Sequence, residues 1–160
     1  STKVATATVS LAVAAAGGGD NDPSNSQMPK RTHKAAATEI LGVIKKADRS
    51  NQTILTATIK LKNGKVIKVA MPNTPANGTD TPWRPGQIEA AESLGYTPLN
   101  PPKGSIPGMH AEENLGAYLN EQGGGSVLGW AIARGKDATS FVCKGPATCQ
   151  VFTSKWPQQD

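Results

Sequence analysis

The stretch Leu55–Met71, LTATIKLKNGKVIKVAM, decides the fold. Its apolar side chains alternate with threonine and lysine on both sides of Asn63-Gly64. Strict alternation predicts a strand with one buried face, and Asn-Gly between two such runs is the strongest short-range signal for a β-hairpin. We therefore expect an antiparallel hairpin here.

Helices are predicted on both sides of the hairpin. Before it, the apolar residues of Lys34–Ala47 recur at steps of three and four, which is typical of an amphipathic helix. After it, Gln87–Leu94 is predicted to be a short helix that Gly95 ends, and Ala111–Asn120 a longer one that glycines end. The apolar run Val127–Ala133 then suits a strand covered on both faces.

Length and composition predict one folded domain with a flexible leader. The chain has 160 residues, 37% of them apolar, which is enough for one modest core. Ala14–Gln27 is almost free of large apolar residues, so we expect 1–29 to be a partly disordered linker and 30–160 the domain. Because the chain starts at Ser1, we expect it to be cut from a longer precursor.

The charge and the hydropathy limit the partners. A net charge of +5 favours polyanions without identifying one. The longest apolar run, Val9–Ala16, is far shorter than the roughly 20 residues that span a bilayer, so no membrane partner is predicted. His33, in a basic stretch, is expected to be a solvated surface histidine, whereas Trp130 is expected in the core.

One histidine, one glutamate and two cysteines form the candidate metal centre. His110 and Glu112 follow a proline-rich loop at the predicted start of a helix, and Cys143 and Cys149 follow the predicted buried strand. Imidazole and thiolate are ligands that suit Zn²⁺, and three protein ligands leave the fourth tetrahedral position for water, as in catalytic zinc sites. The sequence therefore predicts zinc held by His110, Cys143 and Cys149.

Glu112 is the predicted acid and base of this centre. Zinc lowers the pKa of a bound water to about 7, and Glu112 is placed to take the proton that the water loses. Attack on the amidine-like carbon of a base, followed by proton delivery to the ring nitrogen and to the departing amine, would release ammonia. Near the metal, Ser140 is a candidate to hydrogen-bond the substrate, or it is a plain turn residue. Phe141 is a candidate to contact a base, or it packs in the core.

His110-Ala111-Glu112 at a helix start, followed by a strand and paired cysteines, resembles the cytidine deaminase-like superfamily. Gly108-Met109 before this triplet, together with the basic balance, is similar to the deaminase domains of bacterial polymorphic toxins. The resemblance covers roughly Lys34–Cys149, although the two cysteines are spaced more widely than in most relatives. It implies an α/β three-layer sandwich in which a mixed sheet is flanked by helices.

The resemblance also implies a function and further site residues. The expected reaction converts cytosine to uracil in nucleic acid, DNA rather than RNA, in a monomeric toxin module that is secreted or delivered into a target cell and acts in its cytoplasm. A cognate immunity protein would be its partner, and 1–29 would be a pre-toxin segment. Ala111 matches the small middle position of the motif, and Asn73, after the second hairpin strand, matches a polar position that contacts the sugar.

Two other functions remain open on the sequence alone. Cys143 and Cys149 would form a disulfide if the chain works in an oxidising compartment, and the domain would then be a secreted, non-catalytic binding module. Alternatively, the same zinc chemistry would act on free nucleosides, since the fold does not fix the substrate.

Overall fold

The computed structural model describes residues 31–139 and 148–160, with the backbone alone at 148–150. The predicted linker at 1–29 lies outside these ranges, and Thr32–Asp160 forms one compact unit. Its elements, in chain order, are α1 (His33–Leu41), a 3-10 helix (Lys46–Arg49), β1 (Thr53–Leu61), β2 (Val66–Pro72), α2 (Gln87–Ser93), β3 (Thr97–Pro98), α3 (Ala111–Glu121), β4 (Gly125–Arg134) and α4 (Thr148–Thr153).

The predicted hairpin is confirmed. β1 and β2 pair antiparallel from Ile54 opposite Pro72 to Lys60 opposite Val66. At the turn between them, Gly64 has a φ of 88°, a conformation that glycine adopts without steric cost. β4 pairs antiparallel with the other side of β1, and β3 pairs parallel with β2, so the sheet is mixed and its order is β3-β2-β1-β4.

Helices cover both faces of this sheet, as predicted for an α/β protein. On one face, α3 packs over Leu55, Met71 and Ile132 and encloses the larger apolar cluster. On the other, α1 and α2 pack over a second cluster that includes Ile54 and Ala133. Because side chains alternate along a strand, consecutive residues such as Ile54 and Leu55 feed opposite cores.

The strand predicted from the apolar run Val127–Ala133 is confirmed and extends to Gly125–Arg134. A bulge interrupts its pairing with β1, because Thr58 faces Gly129 whereas Ile59 faces Val127. The extra residue is Leu128, which is exposed, and the bulge lets side chains on either side of it point into the same core. Trp130 is buried there and donates from Nε1 to the carbonyl of Pro157 at 2.6 Å, so its predicted core position is confirmed.

The first helix is shorter than predicted and ends at Leu41 rather than Ala47. The chain turns at Gly42, and the 3-10 helix brings Arg49 back to the end of α1. Its guanidinium donates to the carbonyls of Ile44 (3.0 Å) and Gly42 (3.3 Å), groups that a continuing helix would have satisfied. Among the described residues, no helix combines the length and the apolar character needed to cross a membrane.

The prediction that His33 is a solvated surface residue is wrong. Its side chain is buried on the face of the sheet covered by α1, with Nδ1 2.7 Å from the hydroxyl of Tyr96 and Nε2 3.2 Å from that of Thr58. The basic neighbours that suggested exposure lie near a helix start, and the first turn of α1 directs this one ring against the sheet. It contributes packing and hydrogen bonds that tie α1 to β1.

The proline-rich segment before α3 contains one strand that the sequence did not reveal. β3, only Thr97–Pro98, pairs parallel with Val69 and Ala70 of β2, and the amide of Leu99 donates to the carbonyl of Ala70 at 2.8 Å. Proline lacks a backbone donor, so it is tolerated on an edge strand such as this one. The pairing anchors the beginning of the long loop that leads to His110.

Candidate active site

The triplet His110-Ala111-Glu112 begins a helix, as predicted. His110 is the N-cap of α3, with extended backbone angles (φ −74°, ψ 155°), and the helix proper starts at Ala111, which is fully buried. The backbone N–H of His110 donates to Oε1 of Glu113 at 3.0 Å, which is half of a capping box and fixes the first turn. The His110 side chain is about half exposed, at 51%, and lies at the open end of the helix.

Glu112 is the most unusual side chain of the site. It is only 2% exposed, and its Oε2 is buried without a hydrogen-bond partner among the residues that the structure describes. Burial raises the pKa of this carboxyl, and the negative charge of Glu113 adds to that rise, whereas the Glu112 backbone N–H, His110 and Arg134 act in the opposite direction. Glu112 therefore keeps its proton to a higher pH than an exposed glutamate does.

Three residues at the end of the sheet form a row below this helix start. Thr53 faces Arg134 in the β1–β4 register, and Thr53 and Asn73 exchange two hydrogen bonds, one backbone to backbone (3.1 Å) and one from the Thr53 N–H to Oδ1 of Asn73 (2.9 Å). Leu55 and Ile132, two positions further in, belong to the core under α3. By alternation, Thr53 and Arg134 lie on the same face as α3.

A polar cleft of about 210 Å³ opens where this row meets the start of α3. Its lining includes His110 together with Asn73, Thr53 and Arg134, and most of the other lining side chains are also polar. Asn73 was predicted as a substrate contact, and the structure places it in the same cleft as His110. Its Nδ2 donates to the carbonyl of Asn51 at 3.1 Å, which fixes the orientation of the amide.

A second asparagine, Asn114, holds the walls of the cleft together. It is fully buried, and its Nδ2 donates to the carbonyl of Pro72 (3.0 Å) and to Oγ1 of Thr74 (3.2 Å). Its Oδ1 accepts from the hydroxyl of Ser105 at 2.7 Å. One side chain of α3 thus fastens both the loop after β2, which carries Asn73, and the loop that leads to His110.

The other predicted site residues are placed only in part. Ser140, Phe141 and Cys143 lie outside the described residues, so the structure does not test them. Cys149 lies in α4, which contacts α3, and its backbone position alone is described. Among the described residues, no three His, Cys, Asp or Glu side chains gather into a group that could hold a metal ion.

Sequence reasoning missed Arg134, which lines the cleft, and Asn114, which holds the walls of the cleft together. The sequence carries a weak signal for the first, since an arginine directly after a buried apolar run marks the end of a strand. For Asn114 the signal is its position one helical turn after His110, but its partners come from two distant loops.

No known protein family, characterised protein or solved structure matches this chain.

Proposed function

We propose that this protein is a zinc-dependent deaminase that converts cytosine to uracil in nucleic acid, with DNA as the favoured substrate. The observation that carries the proposal is Glu112, which lies in the first turn of α3, two residues after an imidazole that lines a polar cleft. One of its carboxyl oxygens is buried and has no hydrogen-bond partner within 31–139 and 148–160. An unpaired buried carboxyl oxygen lowers the stability of the fold by about 1–3 kcal/mol. A residue with only a structural role would give nothing in return for this loss. Buried carboxyls with a raised pKa beside a cleft are typical of catalytic sites.

We infer that a zinc ion would bind at the start of α3. His110 offers a half-exposed imidazole there, and the orphaned oxygen of Glu112 fits a group that receives protons beside the metal rather than a metal ligand. Cys143 and Cys149 would complete the donor set. When bound, zinc supplies the Lewis acidity that makes water a nucleophile near neutral pH.

Glu112 would carry the protons of the reaction. As a carboxylate it accepts one proton from the attacking water and delivers it to the ring nitrogen. It then accepts the second proton from the new hydroxyl on the same carbon and delivers it to the amine as the C–N bond breaks, which leaves the carbonyl and ammonia. A carboxyl whose pKa is raised by burial suits both steps. Its pKa is closer to neutral pH than that of an exposed glutamate, which favours both accepting and delivering a proton. Asn73 would orient the substrate in the cleft, and Asn114 would hold the loops that carry Asn73 and His110 in fixed positions relative to each other.

The wider assignment rests on the same residues. The mixed sheet with helices on both faces is compatible with a cytidine deaminase-like three-layer sandwich, which we propose for the fold. The resemblance to bacterial polymorphic toxins further suggests a monomeric module at 30–160, delivered into a target cell and neutralised by a cognate immunity protein.

The test is a search for converted bases in DNA and RNA that have been exposed to the purified, reduced chain. We expect cytosine-to-uracil changes with the wild type and none above background with Glu112→Gln. Glu121→Gln is the matched control, since Glu121 is an exposed glutamate at the other end of α3, and it should retain wild-type activity. Equal conversion by the wild type and Glu112→Gln, or none by the wild type when zinc is bound, would contradict the proposal.

The mass of the unreduced chain distinguishes the disulfide alternative. Two free thiols, with one zinc per chain, support the metal centre. A mass deficit of two hydrogens that reductant reverses, without bound metal, would instead support the non-catalytic module.

A further inference from the structure

Arg134 gives the cleft its positive charge. It is the one lysine or arginine among the described residues that line the cleft. The one carboxylate of that lining, Asp80, already lies 3.5 Å from the guanidinium of Arg84 and accepts a hydrogen bond from Asn77 at 3.0 Å. The other polar lining groups, apart from His110, are amides and hydroxyls, so an anion in the cleft would meet one strong cation.

The sheet register places Arg134 beside the reacting groups. It ends β4 on the face covered by α3, directly across from Thr53, which is bonded to Asn73. The guanidinium thus lies at one side of a cleft that has His110 at its opening and Asn73 in the same row.

We propose that Arg134 binds a phosphate of the substrate, so that the site acts on cytosine in nucleotides rather than on free cytosine or cytidine. A guanidinium carries five N–H donors in a planar fork that matches two phosphate oxygens, so it binds a phosphate and keeps contacts with the protein. In a cleft partly closed to water, such a charge-assisted pair is stronger than a neutral hydrogen bond. This inference rests on the proposed function and names the substrate class of that site.

The phosphate could belong to a mononucleotide or to a strand, and the substrates of the experiment distinguish the two. We would measure kcat/KM for deamination of cytidine, of cytidine 5′-monophosphate and of a single-stranded DNA oligonucleotide with one cytosine. The variants are Arg134→Gln, which removes the charge, and Arg134→Lys, which keeps the charge but loses the fork. Lys136→Gln is the matched control, because Lys136 is exposed in the turn after β4 and also carries one charge.

We expect Arg134→Gln to lower kcat/KM for the two phosphate-bearing substrates about 10- to 100-fold, mainly through KM, and to lower kcat/KM for cytidine by a much smaller factor. Arg134→Lys should recover part of the loss, and Lys136→Gln should change none of the three rates by more than about twofold. If the wild type has a similar kcat/KM for cytidine 5′-monophosphate and for the oligonucleotide, Arg134 contacts the phosphate of the reacting nucleotide itself. An equal loss with all three substrates would overturn the inference, because it would assign Arg134 to the support of Glu112.

A binding measurement separates failure of this inference from failure of the proposed function. In the Glu112→Gln chain, which cannot turn over, we would follow binding of the same oligonucleotide by fluorescence anisotropy between low and moderate salt. Adding Arg134→Gln should weaken binding and reduce the salt slope by about 0.7, the value for one phosphate contact on a single strand. An unchanged slope would overturn the phosphate contact even if the deaminase reaction is confirmed.

Discussion

Gly116 is a point of close contact between α3 and α4. A Cβ built on this glycine of α3 would lie 2.2 Å from Cδ1 of Phe152 in α4, more than an ångström inside ordinary van der Waals contact, which begins at about 3.4 Å. In an exposed helix, glycine to alanine stabilises by about 1 kcal/mol. Here we expect Gly116→Ala to destabilise, because overpacking costs about 1–3 kcal/mol and offsets that gain.

The double-mutant cycle with Phe152→Ala isolates this contact. Without the ring, Gly116→Ala should recover its ordinary gain of about 1 kcal/mol, so the coupling energy between the two positions should be about 1–3 kcal/mol. The assay is urea unfolding of the four chains at one pH, followed by circular dichroism. A Gly116→Ala chain that is more stable than the wild type, with no coupling to Phe152, would refute the packing of α4 on α3.

The Gly116→Ala substitution also tests whether the packing of α4 on α3 positions a ligand of the proposed zinc site. Cys149 lies in α4, three residues before Phe152, so a displaced α4 would move one proposed zinc ligand. We expect the zinc affinity of Gly116→Ala to fall about tenfold or more, as it does when groups that orient metal ligands are disturbed. Unchanged zinc affinity in a chain whose helices have separated would show that Cys149 does not bind the ion.

Two further predictions follow from the buried polar groups of α3. Glu112 has a raised pKa in the folded state, so its contribution to stability is largest below its unfolded pKa and is lost as the pH rises through its folded pKa. In zinc-free protein, Glu112→Gln should therefore unfold at a higher urea concentration than the wild type at pH 7 and lose this advantage near pH 4. A difference in stability that is the same at both pH values would contradict the raised pKa of Glu112. Asn114→Ala removes hydrogen bonds to Pro72, Thr74 and Ser105, so we expect a loss of about 2–4 kcal/mol in the free energy of unfolding, whereas a loss below 1 kcal/mol would show that the two loops are held by other contacts.

Local signals account for what the sequence predicted well. The hairpin depends on alternation and on one Asn-Gly pair, both of which act between neighbouring residues. The start of α3 depends on a proline-rich approach and on the reciprocal position of Glu113, again within one turn. The confirmed strand at Gly125–Arg134 is long and apolar enough that its burial on both faces follows from composition alone.

The features that the sequence did not reveal depend on residues distant in the chain. α1 ends at Leu41, and the side chain of Arg49 bonds the carbonyls of Gly42 and Ile44 just beyond it. β3 is two residues long, and its pairing with β2 exists only once the sheet has formed. His33 is buried because Tyr96, 63 residues later, lies within hydrogen-bond distance of its ring.

The candidate site divides in the same way. The sequence predicted His110 and Glu112 from their neighbours at a helix start and Asn73 from the family resemblance. The structure places His110 and Asn73 in one cleft, and Glu112 is buried two residues after His110. Arg134 was missed because its nearness to Asn73 follows from the register of three strands. The burial of Glu112, with its Oε2 unpartnered among the described residues, could not be predicted either, since it depends on how α3 packs on the sheet.

The most direct test of a metal-assisted reaction driven by Glu112 is the mass of a cytosine-containing oligonucleotide after incubation with zinc-loaded wild type or zinc-loaded Glu112→Gln. We predict that both chains hold one zinc ion, that the wild type produces the mass change of an amine-to-carbonyl exchange, and that Glu112→Gln is slower by about 10²- to 10⁴-fold. Equal rates from the two zinc-loaded chains would contradict the central claim.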